Sequence, residues 1–331
     1  MTASALSIVI PTYNREVVLL DTLNALLSLM EAVHGQGSDR CELLLIDQTP
    51  KHEPATDARL SELAESGRLR WLRLPTPHLT GAMNCGLLEA RGTLVLYLDD
   101  DIIPAPGLLN GHLQAHREHP EAWAVVGQVL QPGQRPEWHP HRPRGSTLWR
   151  DLDFAFNGTE LAWIENVMAG NLSLKRERAL AMGGFDERFP PPVASRFETE
   201  FAKRLVAAGG RIRFSPEASI HHLAAPSGGT RSRGSHLTSP SPRYGVGDCY
   251  YAMRCGRGWD RIWYLLRKPV REVLTRFHLR HPWWIPVKLV GEVRALLQAL
   301  QLLAARPQLI NHDTNQMGSA SRSSSLDRTH R

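Results

Sequence analysis

Leu94-Val95-Leu96-Tyr97-Leu98-Asp99-Asp100-Asp101, followed by Ile102, Ile103 and Pro104, is the stretch whose reading decides the fold. A short apolar run bounded by polar residues reads as a strand buried on both faces, as in a parallel sheet. Three carboxylates at its exit repel one another unless a positive charge sits among them. A divalent cation answers that need, because Mg²⁺ and Mn²⁺ prefer carboxylate oxygens and share them with substrate phosphates. The alternative is that one acid caps the next helix and the others are solvated.

Upstream, the pattern repeats. Leu6 to Ile10 is a short apolar strand ending at Pro11-Thr12-Tyr13-Asn14-Arg15. Leu19, Leu23, Leu26, Leu27 and Met30 then follow helical spacing until Gly35, Gly37 and Ser38. Cys41 to Ile46 is a second buried-type strand, ending in Asp47 and Gln48. Residues 56 to 66 read as helix, Leu69 to Leu74 as a third strand, and Thr80 to Ala90 as a helix carrying Asn84. This β-α-β-α-β-α-β rhythm predicts a Rossmann-like α/β sheet, and such sheets bind ligands outside the carboxyl ends of their strands. Thr12 and Tyr13, Asp47 and Gln48, and Asp99 to Asp101 all fall at strand exits. They either converge on one crevice or serve separate turns.

The 331 residues suit one large or two modest domains, and 42% hydrophobic content supports a globular core. Cys41, Cys85, Cys249 and Cys255 form no CxxC pair, which fits a reducing compartment. The N-terminus lacks a basic n-region and a long apolar h-region, and no run reaches the ~18 apolar residues of a membrane span. The expectation is a cytoplasmic protein. Charge is uneven: residues 226 to 331 hold 17 Lys+Arg against 6 Asp+Glu, and the rest hold 22 against 27. The basic third therefore faces something anionic, such as a phosphorylated substrate, acidic lipid or nucleic acid.

Taken together, the motifs resemble the family 2 glycosyltransferases with the GT-A fold. They are Ile8 to Arg15, Leu44-Leu45-Ile46-Asp47, Tyr97 to Asp101 as the DXD, and Ala169-Gly170-Asn171-Leu172-Ser173-Leu174-Lys175-Arg176. Gly183-Gly184-Phe185-Asp186, Phe197-Glu198-Thr199-Glu200-Phe201 with Arg204-Leu205, and Pro216 to His222 complete the set. The ordered set spans about residues 6 to 225.

That resemblance implies an inverting, metal-dependent transfer of a sugar from a nucleoside diphosphate (UDP, dTDP or GDP) to a hydroxyl of a saccharide or lipid-linked acceptor. It implies donor binding by Pro11, Thr12, Tyr13, Arg15, Asp47, Gln48, Asn84, Asp99 and Asp100. Mg²⁺ or Mn²⁺ would be held by Asp99, Asp101 and His222, with His221 the less fitting of the two histidines. Glu198 corresponds to the general base, with Glu200 as runner-up. Gly170, Asn171 and Glu200 would line the acceptor side. Three departures stand out: Gln48 and Phe197 where relatives carry acids, and Met83 where an Arg often precedes the Asn.

Residues 131 to 150, with Trp138 and Trp149, would border the acceptor cleft or form a proline-held surface loop. Residues 226 to 258 read as a mobile Ser/Gly/Arg-rich region whose Arg231 and Arg233 would contact the diphosphate. Residues 259 to 310 read as a basic helical extension. It either lies on an anionic membrane or packs on the catalytic domain (residues 1 to 225) with a solvated basic face. Residues 311 to 331 look disordered. Two rivals remain at this level. A nucleotidyltransferase would normally show a Gly-rich, basic phosphate loop after the first strand, which Pro11-Thr12-Tyr13-Asn14 is not. A membrane- or nucleic-acid-binding module would rely on the basic third alone; no nucleic-acid partner is expected.

Overall fold

Alternate side chains along the early strands go to opposite faces of one sheet, and each face is roofed by its own set of helices. The computed structural model describes residues 5–35, 41–141, 148–191, 194–229 and 236–310. Arg231, Arg233 and the tail from 311 lie outside the described residues.

The first half runs β1 (Leu6–Thr12), α1 (Val17–Gly35), β2 (Cys41–Asp47), α2 (Pro54–Glu65), β3 (Arg70–Arg73), α3 (Leu79–Glu89) and β4 (Leu94–Leu98). The second half runs β5 (Ile102–Pro104), α4 (Leu108–Glu118), β6 (Ala122–Leu130), β7 (Ala162–Ile164), β8 (Asn171–Lys175), α5 (Arg176–Ala181), α6 (Phe197–Ala207) and β9 (Arg211–His222). Strand order is β3-β2-β1-β4-β8-β6-β9-β5, with β7 beside β9. The β3-β2-β1-β4 half is parallel. Beyond it β8 runs antiparallel to both β4 and β6.

Ile8, Ile10, Leu43, Leu45, Leu96 and Leu98 pack against α1, α2 and α4. Val9, Leu44, Ile46, Val95 and Tyr97 face α3, α5 and α6. A strand buried on both faces has no polar position to offer, which is why these runs are continuously apolar. Parallel register aligns Thr12 with Asp47. Antiparallel pairing of β5 with β9 sets His222 opposite Ile102, beside Asp101.

One expectation is corrected. The stretch 226 to 258, read as a mobile loop, contains α7 (Val246–Cys255), whose Val246, Tyr250, Tyr251 and Ala252 are in the core. Apolar residues inside a Ser/Gly-rich neighbourhood were enough to make helix, because tertiary burial outweighs local composition. Of the two readings of 131 to 150, the described residues favour the surface loop, although Gln131 at its start bonds His222 of the cleft. Residues 142 to 147 lie outside the described residues. Trp149 packs against Tyr264, ring centroids 4.6 Å apart, and Trp138 is exposed beside Glu160. Strand β6 is a further continuously apolar, buried run of the same kind as β4.

The extension consists of α8 (Gly258–Val273), α9 (Arg276–Arg280) and α10 (Trp284–Leu303). It is attached to the catalytic body through Tyr264, Ala295 and Ala299, all in the core shared with α6 and α7. No described helix is long and apolar enough to cross a membrane.

Candidate active site

Above the strand exits lies a cleft of about 300 Å³. It is lined by Pro11, Thr12, Tyr13, Arg15 and Gln48, by Asp99, Asp100 and Asp101, and by Gly170, Glu198 and His222.

The acid triplet is held apart by specific partners. The Thr12 hydroxyl donates to Asp100 Oδ2 at 2.7 Å, and Arg15 Nε reaches Asp100 Oδ1 at 3.1 Å. Burial pushes the Asp100 carboxyl up to about 6, with Arg15 and Thr12 pulling the other way. Arg15 Nη2 also meets Asp101 Oδ2 at 3.1 Å, and the Ala225 amide donates to the same oxygen at 2.8 Å. Part of the positive charge that the sequence demanded is therefore a guanidinium. Burial opposes ionisation of Asp101, yet hydrogen bonds from His222 and Ala225, with the charges of His222 and Arg15, hold its pKa below the ordinary value.

Asp101 Oδ1 turns the other way, towards His222 Nε2 at 3.2 Å, and Asp99 Oδ2 lies 3.6 Å from that nitrogen. Oxygens of Asp99 and Asp101 and a nitrogen of His222 all fall within 4.8 Å of one another. Gln131 Oε1 accepts from His222 Nδ1 at 2.9 Å, so in neutral imidazole the Nε2 lone pair points at two carboxylates. Only a second proton or a cation between the three groups relieves that contact. Two carboxylates and an imidazole suit Mn²⁺ or Mg²⁺, and the Gln131 bond orients the imidazole as metal sites require. The residues fit a divalent ion. His221, by contrast, is exposed opposite Ile103.

Glu198 sits in the first turn of α6, its Oε1 accepting from the Ala169 amide. Burial lifts its carboxyl to about 7; the Ala169 bond and the Arg196 charge oppose the rise, and Asp99 adds to it. A carboxyl with that pKa is suited to taking a proton near neutrality. Gly170 lies opposite, where an added Cβ would fall 2.1 Å from Asp99 Oδ2. Gly170→Ala should therefore displace Asp99 and lower turnover by about 100-fold, with the fold kept by circular dichroism.

Four expected site residues are elsewhere, which corrects those assignments. Asp47 is fully buried, accepting from the Thr49 amide and Trp71 Nε1 and contacting His52 Nε2. With its oxygens so engaged, it braces the β2 exit behind Gln48. Asn84 clamps the Phe185 backbone through both ends of its amide. Asn171 donates to the carbonyls of Gln128 and Ala218 and pairs with His112, inside the core. Glu200 is buried against Arg204 at 2.6 Å, away from the cleft. The sequence could not separate these polar core residues from site residues, since both follow the same motifs. Arg231 and Arg233 lie outside the described residues. The adjoining Gly229 lines the cleft, and its amide donates to the Tyr13 carbonyl at 2.8 Å.

Sequence reasoning missed His78, Met168 and Ser195 in the cleft wall. It also missed Arg196, a left-handed residue (φ 68°) that opens α6 two positions before Glu198. Arg196 Nε is tied to Asp248 Oδ1 of α7 at 3.2 Å, and Tyr264 of α8 donates to the same oxygen at 2.9 Å. Asp248→Asn should free Arg196, lowering turnover about tenfold and moving the basic group's midpoint to higher pH, because Arg196 normally favours ionised Glu198. A pH–rate profile reads this. Simple destabilisation would leave the midpoint in place.

The family model for glycosyl transferase family 2 matches residues 7–180. The succinoglycan biosynthesis protein ExoM of Rhizobium meliloti (strain 1021) is 30% identical over 192 residues, 55% of this chain. The chain spans 57% of that curated relative's length. Among solved structures, S. aureus TarS 1-349 in complex with UDP-GlcNAc superposes with a TM-score of 0.57 at 15% identity, over 88% of this chain and 81% of that one. Mannosyltransferase PcManGT from Pyrobaculum calidifontis, in complex with GDP-Man and Mn²⁺, gives 0.52 at 18% identity, over 92% and 79%. These likenesses establish a shared GT-A architecture.

Proposed function

This chain belongs to glycosyl transferase family 2, and we propose that it moves a hexosyl group from a nucleoside diphosphate sugar to an acceptor hydroxyl, with inversion. The observation that carries the reading is one cleft holding both Glu198 and the Asp99, Asp101 and His222 cluster.

In the proposed step the acceptor hydroxyl gives its proton to Glu198 as its oxygen bonds to the anomeric carbon. The bond from that carbon to the diphosphate oxygen breaks, and the nucleoside diphosphate leaves with the electron pair. One displacement at carbon inverts its configuration. A divalent ion held by Asp99, Asp101 and His222 would neutralise the charge growing on the leaving diphosphate. Arg15, ion-paired to Asp100 and Asp101, keeps the carboxylates oriented. Tyr13 offers an aromatic face to the base. Gln48 uses Oε1 on the His78 amide, and its NH₂ group is a donor for a base carbonyl.

The acceptor class is a saccharide or a lipid-linked saccharide, a reading supported by the succinoglycan biosynthesis role in the name of the curated relative. Thermal melts with UDP-, dTDP- and GDP-sugars, each with and without Mn²⁺, test the donor side. One nucleotide class should raise the Tm only with the metal, and turnover should then release free nucleoside diphosphate. Release of pyrophosphate would make the protein a nucleotidyltransferase and overturn the reading.

A further inference from the structure

Helix α10 is built inside out. Its buried face carries Lys288, Gly291, Glu292, Ala295 and Ala299, while Leu289, Val293, Leu297 and Leu300 point away from the protein. The inward charges are neutralised locally. Lys268 of α8 pairs with Glu292, and Lys288 Nζ lies 3.1 Å from Glu292 Oε1 and 3.4 Å from Glu272 Oε2. Helix α8 continues the outward apolar face with Trp259, Trp263, Leu266 and Val270, spaced along one side. Between the two helices Leu274, Leu279 and Trp283 are also uncovered. Exposures of 81% for Trp259, 65% for Leu274 and 55% for Leu297 put these side chains well beyond ordinary partial burial.

A water-facing helix normally hides its leucines and shows its lysines, because burying apolar area stabilises by about 25 cal/mol per Å² and burying charge costs free energy. Reversing that order is stable only where the outer face meets something other than water. We propose that the outward face of α8, α9 and α10 docks on an anionic lipid surface.

Charge chooses the occupant. The exposed charged side chains of these helices are arginines, Arg267, Arg271, Arg276, Arg280 and Arg294, with Arg257 exposed at the N-cap of α8. The acids of the same helices, Asp260, Glu272 and Glu292, are wholly or partly buried. Two copies of the chain meeting through this face about a two-fold axis would set arginines against arginines. Anionic headgroups attract them. Leucines and indoles at the headgroup boundary, with basic side chains among them, are the composition of a helix lying in the interface plane.

The buried side of α8, opposite the docking face, touches the cleft indirectly. Asp248, bonded to Tyr264 of α8, holds Arg196 at the head of the Glu198 helix. A lipid surface on the outward face would thus be separated from the Arg196 contact by the thickness of α8. The inference deepens the lipid-linked branch of the proposed function, but its test does not need turnover.

The full chain is mixed with phosphatidylcholine vesicles containing phosphatidylglycerol and, separately, with pure phosphatidylcholine vesicles. Flotation and Trp emission are read. Binding to the anionic vesicles, weakened by salt, with a blue shift of emission, is expected. Trp263→Ser with Leu266→Ser should lower vesicle affinity at least tenfold, and so should Val293→Ser with Leu297→Ser. All four positions are exposed, so metal-dependent donor melts should be unchanged and would report any failure to fold. No flotation with anionic vesicles would overturn the proposal. So would affinity unchanged in both variants, or a concentration-dependent dimer that the same variants abolish. Vesicle binding without nucleoside diphosphate release would sink the transferase reading alone, and release without vesicle binding would sink the docking reading alone.

Discussion

Glu198→Gln should leave metal-dependent donor binding within about twofold of the parent and lower the transfer rate by about a thousandfold. The amide keeps the size of the carboxyl, and its oxygen still accepts from the Ala169 amide, so α6 and the cleft wall are undisturbed. What is lost is the ability to take a proton. The substitution separates two roles that Glu198 would otherwise confuse, since a binding residue would show its loss in donor affinity. Full turnover by Glu198→Gln would remove it as the base, and Glu200 is no substitute, because it is buried against Arg204 outside the cleft.

The pH dependence follows with its sign. Burial raises the Glu198 carboxyl from its ordinary range to about 7, and the proposed base would act as the carboxylate. In the free enzyme kcat/KM should therefore rise about tenfold per pH unit below a midpoint near 7 and level off above it. Glu198→Gln should remove that limb from its residual activity. A limb that survives the substitution belongs to another group.

Asp101→Ala is the second large effect. Asp101 offers Oδ1 to the cluster with His222 and Asp99, and Oδ2 to Arg15 and the Ala225 amide. Its removal should abolish the metal-dependent Tm shift with donor and lower transfer on the order of a thousandfold. It should also destabilise the chain by about 2 kcal/mol, because a buried guanidinium loses one of two carboxylate partners. Asp101→Asn preserves the shape around Arg15 better, so the two variants divide ligand loss from structural loss. A metal-dependent shift retained in both would mean that the ion, if any, is held elsewhere.

Much of this was legible in the chain itself. The run Leu94 to Asp101 and its two upstream counterparts determined a parallel α/β half-sheet with polar strand exits, since period and composition are local properties. Thr12 and Asp101 stood out as polar strand exits, and Glu198 and His222 were named only through the family resemblance; all four line the cleft.

Other facts required the folded chain. Asp47, Asn84 and Asn171 look like site residues in the sequence, yet each spends its hydrogen bonds inside the protein. A polar residue's partners are set by what folds over it, and they can lie a hundred residues away. Arg15 as counter-charge to Asp100 and Asp101, and Arg196 held by α7, have the same origin. Nor could spacing alone say which side of α10 faces inward. Its leucines fit either side, and only the folded chain, which buries Lys288 and Glu292 with Lys268, leaves Leu289, Val293 and Leu297 outside.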